Sequence, residues 1–137
     1  MEAIVAGVAA GYAMAIASSL AVAYLLARGI GSGSLDKWID PEVSRRLLVV
    51  AFFLSSTVAW MMAGGMLGGI YAAADLGSGP SAAGAENAWF AVGMMVLAVL
   101  PLPILAAIAW REWWLWCSLS ATFAALFGWA VPYLAGR

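Results

Sequence analysis

The sequence predicts an all-α integral membrane protein whose four transmembrane helices pack as a compact antiparallel bundle, the third helix kinked at Pro101 and Pro103. Three observations carry this expectation. Hydrophobic residues make up 66% of the 137 positions and charged residues 9%, far from the mixture of a soluble domain. The charges are confined to connecting stretches and leave four uncharged runs, Ala3 to Ala27, Leu47 to Ala74, Ala88 to Ala109 and Leu115 to Gly136. Each run meets or exceeds the ~20 residues that a helix needs to cross ~30 Å of hydrocarbon. The third contains Leu100-Pro101-Leu102-Pro103, which removes two backbone donors and disturbs the carbonyls of Leu97 and Val99. One domain, 1–137, is expected, with helices near 3–27, 41–74, 87–109 and 114–135.

The chain opens Met1-Glu2 and then turns directly apolar. A secretory signal carries a basic leader, so the first run is expected to be retained as a helix. Small residues recur along it at every fourth position, Ala3, Gly7, Gly11, Ala15, Ser19, Ala23 and Ala27, a row that drifts about 40° per step and suits a crossed contact with another helix. An Ala-rich composition produces such a row by itself. Gly29 to Ser34 reads as a turn, and Leu35 to Ile39 as a short amphipathic piece anchored by Trp38. Asp40-Pro41-Glu42 has the order of a helix start: N-cap, first-turn proline, first-turn acid.

The second helix holds the stretch expected to organise the rest, Ser55 to Gly69. It combines three hydroxyls, Ser55, Ser56 and Thr57, with two interleaved GxxxG spacings, Gly64 with Gly68 and Gly65 with Gly69. Apolar side chains gain nothing by hiding from lipid, so helices in hydrocarbon associate through close backbone approach and a few polar contacts. Gly7, Gly11, Gly64, Gly65, Gly68 and Gly69 are therefore the expected helix-packing positions, and the second helix the one on which the others pack. From Leu47 to Ala74 it would run about 42 Å, longer than the hydrocarbon requires. Asp75 to Asn87 reads as a loop. Trp110 to Trp116 makes a short turn whose indoles belong to the aromatic belt; Trp38, Trp110, Trp113, Trp114, Trp116 and Tyr133 are the expected membrane anchors, with Arg137 at the far end.

Four polar groups fall at a similar depth in this topology: Ser18 and Ser19; Ser55, Ser56 and Thr57; Pro101 and Pro103; and Ser118, Ser120 and Thr122. They define a candidate polar layer with two readings. One is a small cavity in which hydroxyls and freed carbonyls hold a cation or polar solute. The other, which we favour, is that the hydroxyls satisfy carbonyls freed by proline, because solute pathways are generally marked by ionisable residues and the uncharged runs have none.

Little else in the chain carries chemistry. Histidine is absent, and Cys117 is alone. Met61 with Met62 and Met94 with Met95 point to different faces and no Cys or His accompanies them, so packing is their expected role. Asp36, Asp40, Glu42, Arg45 and Arg46 form the one charge cluster, and helix capping accounts for it. No catalytic, cofactor-binding or metal-binding set is expected. The chain reads as a small non-catalytic membrane protein, an accessory or structural subunit of a larger complex or a self-associating bundle, with the bilayer, other membrane subunits or copies of itself as partners and no nucleic acid. The alternative is a small-solute or ion transporter or channel built by oligomerisation around the polar layer.

Arg28, Lys37, Arg45, Arg46 and Arg111 fall on one side of the four-span topology and Arg137 on the other. The expected location is the cell membrane of a prokaryote with both termini outside the cytoplasm. In a Cys117→Ser background, Lys37→Cys should react with an impermeant thiol reagent in inside-out vesicles and stay unlabelled in intact cells. The opposite pattern would invert the topology.

Overall fold

The computed structural model describes residues 2–28, 41–74, 88–108 and 110–135. The expected Gly29–Ser34 turn, the Trp38 anchor, the Asp40 cap, the acids Asp36 and Glu42, the loop of residues 75–87 and the Arg137 anchor lie outside the described residues or side chains. The described chain is helical, with no strand among the described residues: α1 (Glu2–Ala27), α2 (Pro41–Ala73), α3 (Ala88–Val99), α4 (Leu102–Ile108), α5 (Trp113–Ala125) and α6 (Val131–Ala135). A 3-10 turn, Trp110–Glu112, precedes α5, and a π-helical turn, Leu126–Ala130, joins α5 to α6. Among the described residues four helical spans are long and apolar enough to cross a membrane, Glu2–Ala27, Val43–Ala73, Ala88–Ala107 and Trp110–Ala135.

The closest packing lies between α1 and α2, which run antiparallel. A Cβ built on Gly7 would collide with the carbonyl of Gly64 and come within 3.2 Å of the Cα of Gly68, and one on Gly64 would collide reciprocally with the carbonyl of Gly7. Gly11 meets the Trp60 carbonyl in the same way, and Gly68 that of Ala3. Each glycine Cα thus lies against a carbonyl of the other helix, the arrangement in which Cα–H···O contacts and dispersion accumulate. The row of small residues on α1 is buried from Ala3 through Ser19, while Ala23 is half-buried and Ala27 exposed, as a drifting row leaving its partner requires. Only one of the two interleaved glycine pairs is used. A Cβ on Gly65 would come within 3.3 Å of the Val8 side chain, and one on Gly69 would meet nothing within 4 Å.

The helix at the centre is α1, which corrects the expectation that the glycine-rich α2 would hold that place. Of the most apolar window of α1, 44% of residues are buried, against 11% for α2. The reason is that α1 presents two adjacent faces of small residues. Gly7, Gly11 and the backbone of Ala3 receive α2, while Ala3, Ala6, Ala10 and Met14 join a cluster with Phe127 and Val131 of the fourth span. In contrast, α2 carries an unbroken exposed row, Leu47, Val50, Leu54, Val58, Met62, Met66 and Ile70. Aromatic contacts tie its inner side to the rest: Trp60 to Phe123 and Phe127 at 5.9 and 6.3 Å, and Tyr71 edge-on to Phe90 at 5.0 Å.

Regular helix is interrupted in both later spans, each time at proline. In the third span, α3 ends at Val99 and α4 starts at Leu102, with Leu100 and Pro101 in a turn. The Leu100 amide still reaches the Val96 carbonyl at 3.0 Å, and the amides of Ile104 and Leu105 restart the ladder on the Pro101 carbonyl. In the fourth span, the Val131 amide donates to the carbonyl of Leu126, five residues back. Pro132 explains this wider turn, because its ring has no N–H and clashes with the carbonyl four residues earlier in a regular helix. The sequence reading treated this span as unbroken.

Gly64→Ala and Gly69→Ala make the same chemical change in two environments. Unfolding in mixed micelles should be easier for Gly64→Ala by about 1–3 kcal/mol, the usual cost of overpacking a close contact. Gly69→Ala should be neutral or stabilising by up to about 1 kcal/mol. Equal effects would mean that the backbone contact does not hold α1 to α2.

Candidate functional site

The hydroxyls of the expected polar layer are mostly turned back onto their own helices. Ser18 and Ser19 both donate to the Ala15 carbonyl, at 3.1 and 2.7 Å. Ser55 donates to Ala51 at 2.8 Å, Ser56 to Phe53 at 3.2 Å and Thr57 to Phe53 at 2.7 Å. In the fourth span Ser118 donates to Trp114 and Thr122 to Ser118, both at 2.8 Å. Such back-bonding closes a hydroxyl against the carbonyl three or four residues earlier, which is the cheapest partner for it in hydrocarbon. None of these serine or threonine hydroxyls reaches Leu97 or Val99, the carbonyls that the prolines deprive of their donors. The favoured sequence reading is thus corrected in its partner: the hydroxyls are satisfied by intact helix, and the proline break is left to itself.

One contact of the layer crosses between helices. The Oγ atoms of Ser19 and Ser56 are 3.3 Å apart on the α1–α2 seam, and both residues are buried. Ser19 has one hydrogen, and its 2.7 Å bond to Ala15 is much the shorter, so Ser56 is the donor across the seam and divides its hydrogen between Ser19 and Phe53. The pair continues the row Ser56, Trp60, Gly64 and Gly68 by which α2 meets α1.

A second part of the layer converges at a cleft of about 260 Å³ to which all four spans contribute. Met14 and Ser18 come from α1, Trp60 from α2, Ala98 and Pro101 from the third span, and Trp116, Ser120 and Phe123 from α5. Ser120 alone of the hydroxyls here has no hydrogen-bond partner among the described residues. Ser55, Thr57, Pro103, Ser118 and Thr122 do not line the cleft. A neighbouring cleft of about 310 Å³ is formed by Leu102, Ala106, Trp110, Trp113, Trp116 and Cys117, with Trp116 common to both.

The anchor residues divide. Trp110, Trp113, Trp114 and Tyr133 are exposed, and Trp116 is half-buried between the clefts. Trp114 is held by two contacts, an edge-on approach to Tyr24 at 5.5 Å and a 3.0 Å bond from its Nε1 to Oε2 of Glu112. Glu112 is buried, a feature that the sequence reading of a simple interfacial turn missed. Its only signal was an acid two residues before an indole. The Arg28 guanidinium lies 5.3 Å from the centre of the Tyr24 ring, so the charged end of α1 is joined to this turn by an aromatic pair. Met94 is buried and Met95 exposed, as adjacent positions on one helix imply. Among the described residues no group of three histidine, cysteine, aspartate or glutamate side chains gathers at metal-binding distance.

No protein-family model, curated protein or solved structure matches this chain. The class defined by the four apolar helices is compatible with an integral membrane protein.

The Ser19–Ser56 contact is open to a double-mutant cycle with Ser19→Ala and Ser56→Ala. The expected coupling is about 0.6 kcal/mol, the average for polar contacts between membrane helices. Ser55→Ala and Ser118→Ala should each change stability by less than about 0.5 kcal/mol. A coupling beyond about 2 kcal/mol would make the hydroxyl pair, rather than the glycines, the main tie between α1 and α2.

Proposed function

We propose that this chain is a small, non-catalytic, multi-pass membrane protein that serves as an accessory or structural subunit of a larger membrane complex. Its spans would form a compact antiparallel bundle with the third kinked at Pro101 and Pro103, both termini outside the cytoplasm of a prokaryotic cell. The observation that carries this reading is the use of the polar and small groups inside the chain. The α1–α2 seam is closed by backbone contact at Gly7, Gly11, Gly64 and Gly68, and the hydroxyls beside it are bonded to their own helices. A seam of that kind favours a rigid unit over a conducting path.

The same contacts favour foreign partners over copies of the chain. Gly64 and Gly68 are occupied by α1, so this GxxxG pair is not available to a second copy. The long exposed row from Leu47 to Ile70 is a broad surface for neighbouring subunits or lipid. A channel assembled from several copies around the hydroxyl layer would need outward-facing hydroxyls able to bind solute. Ser55 and Ser118 face outward, yet their hydrogens are engaged by Ala51 and Trp114.

Extraction from native membranes in a mild detergent, followed by mass measurement and identification of every co-purifying chain, is the direct test. The expected result is a stoichiometric assembly with larger subunits. Liposomes containing the purified chain should remain tight to ions and small solutes. A bare homo-oligomer whose flux is abolished by Ser56→Leu would favour the channel instead.

A further inference from the structure

We propose that the cleft between Pro101 and Ser120 is a binding site for an uncharged, lipid-soluble compound with two fused rings and a ring carbonyl oxygen, of the naphthoquinone type. Its size sets the first limit. A cavity of about 150 Å³ holds one benzene ring, and this cleft measures about 260 Å³. Its walls set the second. Trp60, Trp116 and Phe123 line it with aromatic rings, and among the described residues no charged side chain does, which selects a neutral, ring-bearing guest. Leu97 and Pro101, both exposed, belong to the lining, so the guest enters from the hydrocarbon.

The chemistry of the guest follows from Ser120. The other serines and threonines of the layer donate to a backbone carbonyl. Ser120 has no partner among the described residues and lines the cleft. An unpaired hydroxyl is unfavourable in a lipid environment, and a guest oxygen accepting its hydrogen removes that penalty. Ser18 also lines the cleft, but its hydrogen is directed to Ala15, so it serves only as an acceptor. An acyl chain would fill the space while leaving Ser120 unpaired. A hydrated cation would meet mostly hydrocarbon. A fused-ring ketone satisfies the walls and the hydroxyl together.

The test uses the full chain in phospholipid nanodiscs with a photoreactive azido-naphthoquinone, the labelled positions being mapped by mass spectrometry. Labelling should concentrate in residues 97–105 and 116–123. 2-Methyl-1,4-naphthoquinone should displace the label about fivefold better than 2-methylnaphthalene, the effect of one neutral hydrogen bond. Ser120→Ala should bring the two competitors to parity while labelling persists, and Ala98→Leu, which fills the cleft, should remove the labelling. Label spread along the exposed row of α2, parity of the two competitors in the unaltered chain, or displacement by oleate as effective as by the quinone would each overturn the assignment.

Discussion

The close approach of α1 and α2 at Gly7 and Gly64 governs much of what the rest of the chain can do. Two backbones in contact leave no room for side chains between them, so the bulky residues of both helices must project elsewhere. On α2 they form the exposed row from Leu47 to Ile70, and on the other flank Trp60 and Tyr71 turn inward to meet Phe123, Phe127 and Phe90. On α1 the small residues continue onto an adjacent face, and the fourth span fills that face with Phe127 and Val131, both fully buried. Small against small on one side and small against large on the other let a single helix serve two neighbours. Both contacts depend on dispersion, because burial away from lipid supplies little driving force of its own.

Polar groups in such an interior are stable only with nearby partners, and the structure meets this demand locally. Most serine and threonine hydroxyls of α1, α2 and α5 bond to carbonyls of their own helices. Three places depart from the pattern. The Ser19–Ser56 pair links the helices that already touch, Ser120 lines a cleft beside the break at Pro101, and Ser44, buried near the start of α2, has no hydrogen-bond partner among the described residues. The remaining polar cluster, Glu112 with Trp114, Tyr24 and Arg28, gathers where α1 ends and α5 begins. It ties an acid and a base to one aromatic pair.

How much of this the sequence disclosed follows from which signals are local. The four spans were legible because charge-free length is a property of each run alone. Gly7, Gly11, Gly64 and Gly68 were legible because a backbone contact in hydrocarbon needs small residues four apart. The choice among Gly64, Gly65, Gly68 and Gly69 was not, since adjacent glycines differ only in which way they face, and facing is decided by the partner helix. Nor was the central role of α1, whose Ala-rich composition resembles an ordinary apolar helix. Depth alone grouped the ten residues of the polar layer; rotation about each helix then sent Ser55, Thr57 and Ser118 away from Ser18, Pro101 and Ser120. Depth was readable from residue counting, whereas rotation depends on packing.

The π-helical turn at Leu126–Ala130 bears on how this span would vary between related chains. A wider turn accommodates one more residue than regular helix does, so the fourth span behaves as a helix with a single insertion just ahead of Pro132. Phe127 and Val131, four residues apart across the turn, are both fully buried. A chain lacking both the surplus residue and the proline would present the same faces to α1.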